Sequence, residues 1–139
     1  MKRVAILFVL ASGMNLAHAG DGSTAVANIN KWKAECGACH VAYPPELLAG
    51  NNWQRLMDSL DKHFGVNAAL NAKDKNAILG FLLRNAGSGE RYSAATLRIS
   101  DTPWFRREHR SLSAQEWKHD GVKSPSNCSA CHGKTVLGS

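Results

Sequence analysis

The four cysteines of this chain occur as two pairs, and each pair is followed directly by a histidine. The first motif is Cys-Gly-Ala-Cys-His at residues 36–40, and the second is Cys-Ser-Ala-Cys-His at residues 128–132. Two thiols three positions apart on a helical turn can reach the two vinyl groups of one haem and form thioethers. The following histidine then lies under the iron as its proximal ligand. The motifs therefore predict two covalently attached haem c groups.

This interpretation assigns a role to every cysteine. The predicted thioether residues are Cys36, Cys39, Cys128 and Cys131, and the predicted proximal iron ligands are His40 and His132. Three other uses of paired cysteines compete with it, namely two disulfides, a redox-active dithiol, and one zinc site shared by both pairs. None of these alternatives requires a histidine after both pairs, so haem attachment is favoured.

Residues 1–19 have the pattern of a cleaved signal peptide. Lys2 and Arg3 give a positive start, residues 4–11 form an apolar run of eight, and residues 17–19 are Ala-His-Ala, a small-x-small cleavage pattern. The alternative is a transmembrane anchor, but a span needs about 20 apolar residues. We therefore expect cleavage after Ala19, export to the periplasm, and no transmembrane segment in the mature chain.

The charge of the chain argues against a nucleic-acid partner. Removing Lys2 and Arg3 lowers the basic count from 17 to 15 while the acidic count stays at 11, so the net charge falls from +6 to +4. That charge is too small and too scattered for nucleic-acid binding. The one dense basic run, residues 106–110, is either a solvated helix face or a contact for acidic haem propionates or an acidic partner.

Hydrophobic periodicity and capping residues predict an all-α fold of short helices wrapped around two covalently bound haems, with little or no β structure. One helix is expected from Ser23 or Thr24 into the first motif, and another from Asn51 or Asn52 through His63 and Phe64, ended by Gly65. Three further caps are predicted, Asn71 with Asp74, Thr102 before a helix from Pro103 to Leu112, and Ser113 with Glu116. The Gly-Ser-Gly stretch at 87–89 is expected to separate an N-terminal haem-binding half (20–87) from a C-terminal half (88–139), the two packed as one monomeric unit.

The supply of side chains limits the sixth ligand of each iron. Beyond the motifs, the mature chain offers three histidines and one methionine. On a helical wheel Met57 lies near the apolar stripe and is interpreted as packing, while His119 is in a polar helix end and is expected to be solvated. His63 lies beside the apolar stripe of its predicted helix, and His109 shares a face with apolar neighbours. We therefore predict His63 and His109 as the distal iron ligands.

Equal spacing favours pairing of nearby histidines. His40 and His63 are 23 positions apart, and so are His109 and His132, although a crossed arrangement stays open. Two histidines per iron predict comparatively low reduction potentials, because methionine ligation is what raises them. Filled coordination also blocks substrate binding at iron, which favours electron transfer over catalysis.

The residues assembled so far resemble one family, the small periplasmic dihaem cytochromes c known as DHC. The resemblance is carried by the first motif continuing as Val-Ala-Tyr-Pro-Pro to residue 45, by Trp53, Met57 and His-Phe-Gly at 63–65, by Leu-Arg-Ile at 97–99, by Trp104, Phe105, Glu108 and His109, and by Asn127 before the second motif. It implies two bis-histidine haems with His63 and His109 as distal ligands. It also implies an electron carrier whose acceptor is a high-spin, oxygen-binding monohaem cytochrome c and whose donor could be a membrane cytochrome.

Two functions are therefore weighed. The favoured one is an electron-transfer protein that is not an enzyme, and the alternative is a small haem enzyme or gas-ligand sensor with one five-coordinate haem.

Overall fold

The computed structural model describes residues 21–133, and within this range the chain forms α-helices and single turns of 3-10 helix without a β-strand. The helices are α1 (Asp21–Cys36), α2 (Gly50–Asp58), α3 (Ala72–Asn85), α4 (Pro103–Glu108) and α5 (Ala114–Lys118). The predicted all-α fold class is confirmed. None of the described helices is long and apolar enough to span a membrane. The predicted signal peptide, residues 1–19, lies outside the described residues.

The core lies where α3 packs against α1 and α2. Its buried residues are Trp32, Leu48, Trp53, Met57, Ile78 and Leu82. The Trp53 indole donates a 2.7 Å hydrogen bond to the Pro45 carbonyl, so the polar edge of this buried ring has a partner. Met57 is 2% exposed and packs in the core, as the wheel predicted. No residue from 106 to 133 is buried, so the protein interior belongs almost wholly to the N-terminal half.

The predicted capping residues of three helices are confirmed. The Asn71 side chain accepts a hydrogen bond from the Asp74 amide at the start of α3. Thr102 caps α4 by accepting from the Phe105 amide, and Ser113 forms a capping box with its partner in α5. These residues satisfy amides that the first helical turn leaves without a partner.

The helix boundaries in the N-terminal half differ from the prediction. α1 already includes Ser23 and Thr24, and α2 begins at Gly50 without a side-chain cap. α2 ends at Asp58, because the next residue, Ser59, turns its hydroxyl back to the Arg55 carbonyl at 2.8 Å and leaves helical geometry. A 3-10 turn, Leu60–Lys62, follows. The prediction of one helix continuing to His63 is therefore wrong.

Several hydrogen bonds join residues before the Gly-Ser-Gly stretch at 87–89 to residues within or after it. The Gly87 amide donates to the Leu48 carbonyl at 3.0 Å, and the Ala49 amide donates to the Tyr92 carbonyl at 2.9 Å. The buried Asn52 amide group donates to the Ala94 carbonyl at 2.6 Å. These bonds attach the segment after residue 87 to the start of α2, while the division into halves stays a prediction.

Candidate haem sites

The first cysteine motif begins at the last residue of α1. Cys36 ends the helix half-buried, and the Gly37 amide still donates to the Lys33 carbonyl at 3.0 Å. A Cβ at position 37 would collide with that same carbonyl, so the close approach requires glycine. The chain then leaves the helix, and Cys39 and His40 are exposed beyond its end.

The second motif adopts a different backbone. Cys128 is half-buried at the start of a 3-10 turn, Cys128–Ala130, and the His132 amide donates to the Cys128 carbonyl at 2.8 Å. Cys131 and His132 are exposed. In both motifs, then, the first cysteine is partly buried while the second cysteine and the histidine lie open beside it.

The state of the thiols does not favour a redox-active dithiol. No two of the four cysteines, all of which lie within residues 21–133, form a disulfide. Burial, with a smaller contribution from Glu35, raises the pKa of Cys36 to about 11, and burial also raises the pKa of Cys128. Reactive Cys-x-x-Cys pairs have thiol pKa values lowered instead. Within residues 21–133 no three side chains of histidine, cysteine, aspartate or glutamate converge on a point, as a shared zinc site would require.

His63 is presented by a tight turn rather than by a helix. The Val66 amide donates to the His63 carbonyl at 3.0 Å, and the two residues between them have positive φ, 48° at Phe64 and 99° at Gly65. This is the backbone of a two-residue turn of the mirror-image type, which favours glycine. The His-Phe-Gly sequence therefore fixes where the His63 ring points.

The first pair of histidines is His40 and His63. Their ring centres are 6.1 Å apart and their planes differ by 24°. The Nδ1 atom of His40 lies 2.7 Å from the Val41 carbonyl, which makes Nδ1 the protonated nitrogen and leaves Nε2 with a free lone pair. Burial, then the neighbouring His40 and Arg98 charges, lowers the pKa of His63 and favours the neutral imidazole that a metal requires.

The second pair is His109 and His132, with ring centres 5.9 Å apart and planes that differ by 82°. α4 ends at Glu108 rather than at Leu112, so His109 occupies the C-terminal cap of the helix. Its Nδ1 atom lies 2.9 Å from the Phe105 carbonyl, and its ring stacks on the Phe105 ring at 4.0 Å. As at the first site, Nδ1 is occupied by a backbone carbonyl and Nε2 is available.

These distances fit one iron between each pair. An imidazole nitrogen binds a first-row metal at about 2 Å and lies about 1 Å from its ring centre, so two rings on opposite sides of one iron have centres about 6 Å apart. The structure brings together the two pairs that equal spacing favoured, with ring-centre distances of 6.1 Å and 5.9 Å. His119, predicted to be solvated, is exposed, and its ring nitrogen accepts from the Gly121 amide.

Three further residues beside these histidines carried no assigned role in the sequence. Tyr43 stacks on His40 with ring centres 4.8 Å apart, and the Trp117 ring centre lies 5.7 Å from that of His109. The Arg98 guanidinium lies over the Phe64 ring at 4.2 Å. Burial, followed by the nearby Cys128 thiol, raises the pKa of Tyr43 to about 12, so its hydroxyl stays protonated. An aromatic residue three positions after a haem histidine was the available signal for Tyr43.

Comparison with known proteins agrees with two haem sites. The sequence profile of a family described as DHC, dihaem cytochrome c, matches residues 32–139. The chain is 40% identical to DHC purified from Rhodobacter sphaeroides, covering 74% of this chain and 88% of that one, with a TM-score of 0.65. A second structure of a dihaem cytochrome c from Rhodobacter sphaeroides is 38% identical, covering 78% and 94%, with a TM-score of 0.68.

A similar structure comes from another organism. The dihaem cytochrome sb-DHC of Shewanella baltica OS155 is 32% identical, covering 76% of this chain and 80% of that one, with a TM-score of 0.66. No curated protein matches the chain.

Proposed function

Because the chain belongs to the dihaem cytochrome c family and carries two covalent haem c groups, we propose that it is an electron-transfer protein in which each iron has two histidine ligands. His40 and His63 hold the first iron, and His132 and His109 hold the second. The bound haems supply a one-electron redox couple at each site. If these four histidines hold the two irons, neither iron would have a free place for substrate, which supports an electron carrier rather than an enzyme.

The observation that carries this proposal is the pair of ring-centre distances, 6.1 Å and 5.9 Å. They match the spacing of two imidazoles on one iron at both sites, although the four histidines come from four different segments. They also favour local pairing over the crossed arrangement that the sequence left open.

The hydrogen bonds of one histidine in each pair support the same conclusion. Carbonyl groups of Val41 and Phe105 hold the Nδ1 atoms of His40 and His109. Such bonds fix ring orientation and increase the basicity of the ligating nitrogen. Histidine in place of methionine then lowers the potential, so both haems should be low-potential centres.

The cellular setting follows from the sequence. We propose that residues 1–19 direct export to the periplasm, where the mature chain works as a monomer. Its acceptor would be a high-spin monohaem cytochrome c, as the resemblance to DHC implies, and its donor a membrane cytochrome. Mixing the reduced protein with candidate monohaem cytochromes in a stopped-flow instrument tests this part alone.

Electron paramagnetic resonance of the oxidised holoprotein tests the ligand assignment. Nearly parallel imidazole planes split the two iron d orbitals that overlap them, whereas perpendicular planes leave those orbitals close in energy. With plane angles of 24° and 82°, the two haems should give two different low-spin signals and no high-spin signal. Rapid stoichiometric binding of carbon monoxide to the reduced protein would instead favour a haem enzyme or gas sensor with an open iron.

Three variants assign the signals. His63→Ala should convert only the first haem to high spin, and His109→Ala only the second. The matched control is His119→Ala, because His119 is exposed and belongs to neither histidine pair. A high-spin signal from the His119 variant, or none from either of the other two, would reverse the assignment.

A further inference from the structure

One side chain joins the first haem site to the segment that precedes the second motif. The Tyr43 ring stacks on the His40 ring, with centres 4.8 Å apart and planes 22° from parallel. The hydroxyl of the same residue donates a 2.5 Å hydrogen bond to the Ser126 carbonyl, 83 positions along the chain. Ser126 lies two residues before Cys128, the first residue of the second motif. The two ends of Tyr43 therefore contact the first motif and the segment that leads into the second.

The segment that carries the second motif has little else to hold it. No residue from 106 to 133 is buried. The side chains of Ser124, Asn127 and Ser129 form hydrogen bonds within this segment. Such local bonds shape the loop without tying it to the N-terminal half, where the core lies. The hydrogen bond from the Tyr43 hydroxyl does connect this segment to the N-terminal half.

Tyr43 is itself held firmly. It is half-buried, and it is followed by Pro44 and by Pro45, which is buried and whose carbonyl accepts the hydrogen bond from Trp53. Two successive prolines restrict the backbone, so the ring has little freedom to follow a moving loop. The position of the loop that contains Ser126 is therefore set by its hydrogen bond to the fixed Tyr43 side chain.

We propose that Tyr43 is a positioning residue that links the two haem sites, its ring orienting His40 and its hydroxyl holding the loop of the second motif in register with the first site. This inference rests on His40 being an iron ligand, as proposed above. The two functions are carried by different parts of one side chain, so they can be removed separately.

Tyr43→Phe removes the hydroxyl and keeps the ring. In the oxidised holoprotein we expect the paramagnetic resonance signal of the second haem to shift while that of the first haem stays unchanged, the signals being assigned with the His63 and His109 variants. Trypsin should also cut the loop after Lys123 about fivefold faster, the factor that loss of one net hydrogen bond gives to local opening. Tyr43→Leu removes both parts and should shift both signals.

The other tyrosine of the chain gives the matched control. Tyr92 packs its ring against Trp104 at 5.9 Å, and among residues 21–133 its hydroxyl forms no hydrogen bond. Tyr92→Phe should leave both signals and the trypsin rate unchanged.

The outcomes separate cleanly. A Tyr43→Phe protein with both signals and the trypsin rate of the unsubstituted protein would overturn the link, as would equal shifts at both haems in that variant. An unshifted first signal in Tyr43→Leu would overturn the role of the ring. High-spin iron in the unsubstituted protein would count against the bis-histidine proposal, whereas the Tyr43 proposal is judged on changes relative to that protein.

Discussion

Replacing Thr102 with valine should destabilise the protein and loosen the second haem site. Thr102 is fully buried, and its hydroxyl accepts from the Phe105 amide at 3.1 Å and donates to the Ile99 carbonyl at 2.8 Å. Valine keeps the branched shape but can make neither bond. The helix that Thr102 caps, α4, ends directly before His109, so any fraying at its start reaches this proposed distal ligand.

The size of the effect follows from these two bonds. Loss of an N-cap costs about 1 kcal/mol, and loss of a second hydrogen bond at a buried site costs about 1 kcal/mol more. We therefore expect the free energy of unfolding to fall by about 2 kcal/mol. A high-spin fraction should appear at the second haem only, because a frayed α4 no longer fixes the His109 imidazole.

Guanidinium unfolding followed by helical circular dichroism measures the stability, and paramagnetic resonance measures the spin state. Thr102→Ser keeps the hydroxyl and loses one buried methyl, so it should cost only about 1 kcal/mol and leave the spin state unchanged. Ser113→Ala removes the exposed cap of α5, which carries no ligand, and should cost at most about 1 kcal/mol. A Thr102→Val protein no less stable than Ser113→Ala, with a fully low-spin second haem, would refute the reasoning.

The remaining predictions concern backbone geometry and charge. Gly87→Ala should lower the free energy of unfolding by about 1–3 kcal/mol, because the added methyl would collide with the Glu46 carbonyl oxygen and would lie 2.7 Å from a Tyr92 ring carbon. Gly80→Ala should raise the free energy of unfolding by about 0.5–1 kcal/mol, because position 80 is inside α3 and the added methyl would meet only the end of the Arg84 side chain, at 3.3 Å. The opposite order in thermal unfolding would contradict this. Lys123, with φ of 63°, should tolerate glycine with a gain of about 0.5–1 kcal/mol, and a measured loss would argue against strain there. The hydrogen bond from Lys31 lowers the pKa of Asp74, so this pair stabilises the fold above the ordinary carboxyl pKa and ceases to do so as pH falls through the lowered value. Asp74→Asn should thus be less stable than the unsubstituted protein at pH 7 and equally stable once the carboxyl is protonated, and a difference that persists in acid would exclude this cause.

Much of the fold could be predicted because its signals are local. The caps at Asn71, Thr102 and Ser113 each satisfy an amide three positions away, and short-range geometry of this kind is written directly in the sequence. The fold class followed from the absence of an alternating strand pattern together with these caps. The haem motifs were likewise readable because their spacing alone carries the chemistry.

The candidate ligand His63 was chosen on an incomplete argument. The helical wheel assumed a continuous helix, but α2 ends at Asp58 and His63 is presented by a turn with positive φ at the next two residues. The Gly65 that was interpreted as a helix end is part of that turn. The structure nevertheless places the His63 ring beside the His40 ring. The choice of His63 did not depend on the wheel alone, because the mature chain offers only three histidines beyond the motifs.

Long-range contacts were beyond prediction from one sequence. The bond from Tyr43 to Ser126 spans 83 positions and ends on a backbone carbonyl, which has no residue-type signature. The approach of Trp117 to His109 depends on how α5 packs after α4, and a tryptophan in a short helix is equally compatible with ordinary core packing. Contacts of this kind depend on tertiary packing rather than on local propensity.

The uneven placement of the buried residues bears on how the protein matures. Thioether formation requires thiols that the attachment machinery can reach. The core residues lie between positions 32 and 82, so the N-terminal helices can collapse on one another as soon as they are made. The stretch from 106 to 133 has no buried residue of its own, and the second motif therefore stays reachable after the first half has formed. In this half of the chain, attachment of the haem would therefore also provide the apolar surface against which the side chains become buried.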